Sequence, residues 1–162
     1  MEQNLWNALH CNATKTELVV LALYAQVITH PYIQQICKPG VNMLKLGPLH
    51  HQVHAHMKRI LEDPDFLLGP AVTHETGALD GQPWHSPRVV AAIYQIAPEL
   101  PHLRGIMIAF FQGAYDTWKH FISEFSPGGL IDEATADECE LAWMPPTNDV
   151  NEGALGSFRV LM

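Results

Sequence analysis

The longest run of helix-type hydrophobic periodicity constrains this chain most. It lies between Pro101 and Phe125 (PHLRGIMIAFFQGAYDTWKHFISEF), where apolar side chains recur at spacings of three, four and seven residues. This spacing places the side chains on one face of an α-helix. Residues 126–129 (SPGG) follow directly and stop the helix. A long helix with one apolar face needs other elements to cover that face, so the chain must build a packed core around it.

A second segment is apolar nearly all round, and it predicts a central helix over residues 15–29. Thr14 and Glu17 have the spacing of a capping box at its start. The helix should end at His30-Pro31, because the residue before a proline is disfavoured in the α conformation. Residues 69–86 are polar and aperiodic, and they predict a long ordered loop held by Trp84.

The remaining segments are short and bounded by proline or glycine. They predict helices over residues 31–37, 47–61, 65–68, 87–97 and 132–143, and another that begins near Val150. No segment shows sustained strand-type alternation. We therefore predict an all-α fold, an irregular bundle of six to eight helices around two long apolar helices. Residues 1–146 form the helical domain, and residues 147–162 begin a C-terminal helix truncated from a longer chain.

Composition suggests that part of the surface is covered by a partner. The chain has 162 residues, which fits one domain, and 48% of them are hydrophobic. Only 16% are charged, against roughly 25% in an average soluble domain. The covering partner is either a second copy, in a homodimer, or the remainder of a larger chain.

Charge and cysteine usage narrow the classes of partner and compartment. The formal net charge is −8, and the nine lysines and arginines are scattered, which disfavours binding to nucleic acid or to an anionic membrane. No apolar run is long enough to span a bilayer. Three cysteines without a CxxC motif, and no signal-peptide pattern, predict a soluble intracellular protein.

A histidine-rich stretch, HHQVHAH, is the candidate metal site. His50 and His54 share a helical face, and His51 neighbours His54 on it. Such imidazoles bind zinc when a third ligand joins them, and His74 or Glu75 is the candidate. The alternative is a polar helix face that happens to be rich in histidine.

The last candidate site is TNDVNEGALGSFR, residues 147–159. In one interpretation Asp149 or Asn148 caps a helix, and Glu152 stands three residues after Asp149, at the capping-box position. The same stretch resembles the segment that carries the final acidic residue of DDE-type transposases. The family pattern is close to T-N-x-x-E-G-x-x-G/N-x-x-R, and this chain matches it with one additional residue between Asn148 and Glu152. The matching residues are Thr147, Asn148, Glu152, Gly153, Gly156 and Arg159.

The resemblance implies a function for the complete protein. Three carboxylates of an RNase H-like fold would bind two Mg²⁺ or Mn²⁺ ions for phosphoryl transfer. Glu152 would be the third carboxylate, residues 1–146 a helical insertion, and the first two acids would lie upstream of Met1. The isolated chain would then be catalytically inactive, and the protein nuclear. Most of the chain is also similar to uncharacterised multi-copy proteins of mushroom-forming fungi.

Three functional hypotheses follow from the sequence. The chain is a non-catalytic fragment or domesticated relative of a DDE-type transposase, a helical protein-interaction or dimerisation module, or a histidine/carboxylate metal-binding protein.

Overall fold

The computed structural model describes residues 2–147, and every regular element in that range is helical. This confirms the predicted all-α class. The α-helices are α1 (Glu2–His10), α2 (Asn12–Tyr24), α3 (His30–Ile36), α4 (Gly47–Glu62), α5 (Asp65–Leu68), α6 (His74–Gly77), α7 (Pro87–Ile96), α8 (Leu103–Phe121) and α9 (Ala136–Leu141). Short 3₁₀ turns lie at Met43–Lys45, Ala97–Glu99 and Ser123–Phe125. Within these residues, no helix is both long and apolar enough to cross a membrane.

The core is organised around α8, which packs between α2 and α4. Its Met107 and Phe111 are fully buried, and they join Leu23 of α2 and Met57 of α4 in one hydrophobic cluster. Burying a side chain of this size stabilises the fold by about 1.5–3 kcal/mol. Two neighbouring helices thus cover part of the apolar face predicted for residues 101–125.

The predicted helix end at Pro31 is wrong, because the chain stays helical from α2 into α3. Residues Ala25–Thr29 form a π-helical segment, in which the His30 N–H donates to the carbonyl of Ala25. Pro31 has no N–H to donate to Val27, four residues earlier. The Leu79 N–H donates to the Val27 carbonyl instead, at 2.9 Å. A proline is tolerated inside the helical run because the carbonyl it leaves free has another partner.

The start of α2 also differs from the prediction. The helix begins at Asn12 with Cys11 as its N-cap, and Thr14 and Glu17 therefore lie inside it. Helix α1 ends at His10, so Cys11 is the single residue between the two helices.

The start of α9 differs from the prediction as well, because this helix begins at Ala136 rather than at residue 132. The Thr135 hydroxyl accepts from the Glu138 N–H, which sets that start.

The predicted loop over residues 69–86 is ordered by contacts with α4 and contains the single turn α6. Gln52 Nε2 donates to the carbonyl of Leu79 at 2.9 Å, and the ring of His56 bonds the carbonyl of Gly77 at the same distance. Trp84 packs partly buried against the core, as predicted. The helix predicted to begin near Val150 lies outside the described residues.

Candidate functional site

The four histidines of HHQVHAH have different environments on α4. His50 and His56 are buried, His54 is partly buried and His51 is exposed. His56 holds the 69–86 loop through Gly77. His54 stacks on Tyr115, with ring centroids 4.1 Å apart. The four histidines therefore do not form one polar face of α4, which is the alternative to a metal site.

His50 lies in an aromatic cluster at the end of the bundle. Its Nε2 is 3.0 Å from the hydroxyl of Tyr32 on α3. The ring of Phe125 meets it edge-on, with centroids 4.6 Å apart and planes at 89°. Trp118 of α8 completes the cluster at 5.6 Å. Helices α3, α4 and α8 and the turn after α8 thus surround one imidazole.

A cavity of about 250 Å³ adjoins this imidazole, and we call it the His50 cavity. Its lining is largely apolar or aromatic, and no lysine, arginine, aspartate or glutamate among residues 2–147 lines it. His50 is only 6% exposed, and its Nδ1 has no hydrogen-bond partner among the described residues. The lining is formed by Tyr32, Met43, Leu46, His50, Trp118, Phe121, Ile122, Phe125 and Pro146.

The electrostatics of the cluster favour neutral side chains. Burial, and secondarily the nearby His51, lowers the pKa of His50. Burial raises the pKa of Tyr32. A neutral imidazole has one donor and one acceptor nitrogen, and a neutral phenol carries its proton. The cluster can therefore offer a directed hydrogen bond without a charge.

The structure does not assemble a metal site from the residues described. Among residues 2–147, no group of three or more His, Cys, Asp or Glu side chains is placed to hold a metal ion. His50 Nε2 is occupied by Tyr32, while Nε2 of His54 is buried without a partner in this range. The zinc hypothesis for His50, His51 and His54 requires a further ligand, for which Glu75 was a candidate. Glu75 lies exposed on α6, and it is not grouped with these histidines among the described residues.

A second feature is an apolar groove between α2 and α8, with a volume of about 620 Å³. Tyr24 lines it from α2, and its hydroxyl accepts from Trp118 Nε1 at 3.2 Å. We call this the α2/α8 groove, and it is lined by Tyr24, Ala109, Phe110, Gly113, Ala114, Thr117, Trp118 and Phe121. Trp118 and Phe121 line both this groove and the His50 cavity.

The groove leaves large apolar side chains in solvent. Phe121 is 73% exposed, and Ile106 lies exposed on the same side of α8. Gly113, in the middle of α8, is open: a Cβ added there would meet no atom of residues 2–147 within 4 Å. A glycine inside a helix costs about 1 kcal/mol relative to alanine, and packing among these residues does not require it. The sequence pattern did predict an apolar face on α8, but not which part of it stays uncovered.

A larger cavity of about 710 Å³ lies near Tyr94, Pro98 and Arg104. Its polar groups are already paired. The Tyr94 hydroxyl donates to the carbonyl of Leu67 at 2.8 Å, and Arg104 forms an ion pair with Asp65. Burial raises the pKa of Tyr94 to about 12, so the phenol stays neutral. No buried side-chain nitrogen or oxygen of the described residues lining this cavity lacks a hydrogen-bond partner.

The predicted transposase residues cannot be placed. Asn148, Asp149, Glu152, Gly156 and Arg159 all lie outside the described residues. Comparison with protein-family models, with curated proteins and with solved structures finds no match to the chain. Among residues 2–147, the fold and the geometry define a helical domain in which part of the apolar face of α8 is exposed beside the α2/α8 groove.

Proposed function

We propose that this chain is a dimerisation module, in which two copies pair through the uncovered face of α8. The observation that carries the proposal is the open, apolar α2/α8 groove with an exposed phenylalanine at one end. Monomeric proteins rarely leave contiguous apolar surface of this kind uncovered. The low content of charged residues agrees with a covered face.

The arrangement of side chains on α8 favours a second copy as the occupant. The midpoint in sequence between Ile106 and Phe121 lies between Gly113 and Ala114. In an antiparallel pair with its twofold axis at that point, Phe121 of one copy lies opposite Ile106 of the other. Such a contact is isologous, because both copies use the same surface. Small residues on this face, Ala109, Gly113 and Thr117, allow the two helices to approach closely.

The expected interface is small. The 19 residues of α8 extend about 28 Å at 1.5 Å per residue. Leu21 of α2, one turn before Tyr24 and itself exposed, adds apolar area beside the groove. Interfaces of this kind fall near the lower limit of about 1,200 Å² in total, where complexes are weak and transient. We expect a dimer with a dissociation constant in the micromolar range.

Sedimentation-velocity ultracentrifugation across a concentration series tests this proposal with a matched pair of variants. Gly113→Glu places a carboxylate at the centre of the interface, beside its own symmetry mate. Gly105→Glu puts the same side chain at another position on α8 where an added Cβ meets nothing within 4 Å. Both variants should fold, because glutamate is a good helix former.

We expect Gly113→Glu to weaken dimerisation at least 100-fold, because a buried unpaired charge is costly. Gly105→Glu should dimerise like the unmodified chain. A chain that stays monomeric at high micromolar concentration, or equal dimerisation of the two variants, would refute the proposal.

The transposase relation is a second proposal, supported by the residues of TNDVNEGALGSFR alone. Sequencing the transcript that encodes the chain tests it. It requires coding sequence upstream of Met1 with two aspartates on predicted strands, and coding sequence beyond Met162. A transcript without them would exclude a piece of an active enzyme.

A further inference from the structure

The exposed face of α8 lies within reach of the C-terminal segment of the same chain. We infer that residues 148–162 fold back onto the α2/α8 groove and compete there with a second copy of the protein. The segment thereby inhibits pairing from within the chain. This inference deepens the proposed dimerisation: the competition rests on that function, whereas docking of the segment does not.

The last described residues bring the chain to one end of the groove. The Met43 N–H donates to the carbonyl of Met144 at 2.9 Å, which holds the residues after α9 against the turn before α4. Pro146 and Phe121 both line the His50 cavity, which has a volume of only about 250 Å³. Phe121 also lines the α2/α8 groove. Two residues of extended chain span at most about 7 Å, so residue 148 begins the segment near the Phe121 end of the groove.

The length of the segment matches the length of the exposed face. The 15 residues from 148 to 162 extend about 22 Å as a helix and about 50 Å as extended chain. Ile106 and Phe121 are 15 residues apart in α8, so they are also about 22 Å apart along its axis. The segment can therefore run along this face in either conformation.

The segment carries apolar side chains at the spacing of one helical face. Val150, Ala154 and Phe158 are four residues apart, and Leu161 follows three residues later. The charged residues of the segment fall on the opposite side of that helix, namely Asp149, Glu152 and Arg159. Such an apolar stripe needs an apolar surface to cover it. The groove supplies one, because no lysine, arginine, aspartate or glutamate of the described chain lines it.

Attachment to the same chain gives the segment an advantage over a second copy. A short linker holds a tethered group at an effective concentration in the millimolar range. A second copy at micromolar concentration competes with it only by binding the groove much more tightly. Pairing also requires an open groove in both copies, so a segment that is docked half of the time weakens dimerisation about fourfold.

Limited digestion with trypsin, followed by mass spectrometry, measures docking in the full-length monomer at a concentration far below the expected dissociation constant. Arg159 is the one lysine or arginine in residues 148–162, so the loss of the last three residues reports access to the segment. Phe121→Glu puts a charge at one end of the groove, on a side chain that is 73% exposed, so the fold should be kept. We expect this variant to be cleaved at least twofold faster. Leu130→Glu, on a similarly exposed residue outside α8, should be cleaved at the unmodified rate.

Sedimentation velocity measures the competition with two variants of the segment. Ala154→Glu puts a charge in the middle of the apolar stripe, so the segment leaves the groove and dimerisation should become at least fourfold tighter. Gly156→Glu adds the same charge on the opposite side of the helix, and it should dimerise like the unmodified chain.

Docking and competition have separate failing results. Equal cleavage rates in the unmodified chain and in Phe121→Glu would overturn docking. Faster cleavage of Phe121→Glu without tighter dimerisation of Ala154→Glu would overturn the competition. A chain that forms no dimer in any of these variants refutes the proposed function instead, and the cleavage rates still decide whether the segment docks.

Discussion

Lowering the pH from 7.5 to 5.5 should destabilise this protein through its buried histidines. Burial lowers the pKa of both His50 and His56. The neighbouring His51 and Arg59 act in the same direction, while the Gly77 carbonyl partly opposes it for His56. Both histidines are therefore neutral in the folded state at a pH where they are protonated in the unfolded chain.

The sign and size of the effect follow from this difference. An unfolded histidine takes up a proton near pH 6.5. Below that pH the unfolded state binds more protons, so the free energy of unfolding falls as pH falls. The contribution is fully present above pH 6.5 and is lost as the pH drops towards the folded pKa. Each histidine contributes at most about 1.4 kcal/mol per pH unit, so we expect a loss of about 1–3 kcal/mol by pH 5.5.

Urea unfolding at several pH values between 7.5 and 5.5 measures this loss. The double variant His50→Phe, His56→Gln removes these two groups, and glutamine can still donate to the Gly77 carbonyl. Burial also lowers the pKa of His30 and His54, which remain, so the pH dependence of the variant's stability should shrink rather than vanish. Carboxylates such as Glu138, whose pKa is lowered mainly by its hydrogen bonds with Thr135, act at lower pH and do not interfere. Identical pH slopes in the double variant and the unmodified chain would refute the reasoning.

Three further predictions concern packing. Phe111→Ala, in the fully buried core, should cost about 3–5 kcal/mol of unfolding free energy in urea; a loss below 1 kcal/mol would contradict the described core. Phe121→Ala should change monomer stability by less than about 0.5 kcal/mol and should weaken dimerisation. Leu130, which is as exposed as Phe121 but lies outside α8, is the control, and Leu130→Ala should change neither monomer stability nor dimerisation. Gly129→Ala should be destabilising, because the added Cβ would overlap the carbonyl oxygens of Ser123 and Glu124. Gly105→Ala should stabilise by up to about 1 kcal/mol, because alanine favours a helix more than glycine does. Thermal unfolding measures both effects.

The helical class and several helix starts could be predicted because the signals are local. Gly47-Pro48 opens α4 and Pro87 opens α7 as predicted, since proline suits the first turn of a helix. The continuation of the helix through Pro31 could not be predicted from local rules. It depends on the Leu79 N–H, which lies far away in sequence.

The candidate site was only partly predictable. The sequence singled out His50 and His54 as polar residues beside an apolar stripe, and it left open whether they form a metal site or a histidine-rich polar face. Their separate partners, Tyr32 for His50 and Tyr115 for His54, are set by how α3 and α8 pack on α4. The exposed face of α8 could not be located either, because periodicity shows which side is apolar and not which part is covered.

The π-helical segment before Pro31 carries the chain from α2 into α3 without a break. A π-helical turn holds one residue more than an α-helical turn, because its hydrogen bonds join residues five apart rather than four. The segment therefore absorbs one extra residue between α2 and α3 while the chain stays helical up to Tyr32, which contacts His50. A related chain with one residue fewer in Ala25–Thr29 would close a regular α-helical turn there and keep the Tyr32–His50 pair.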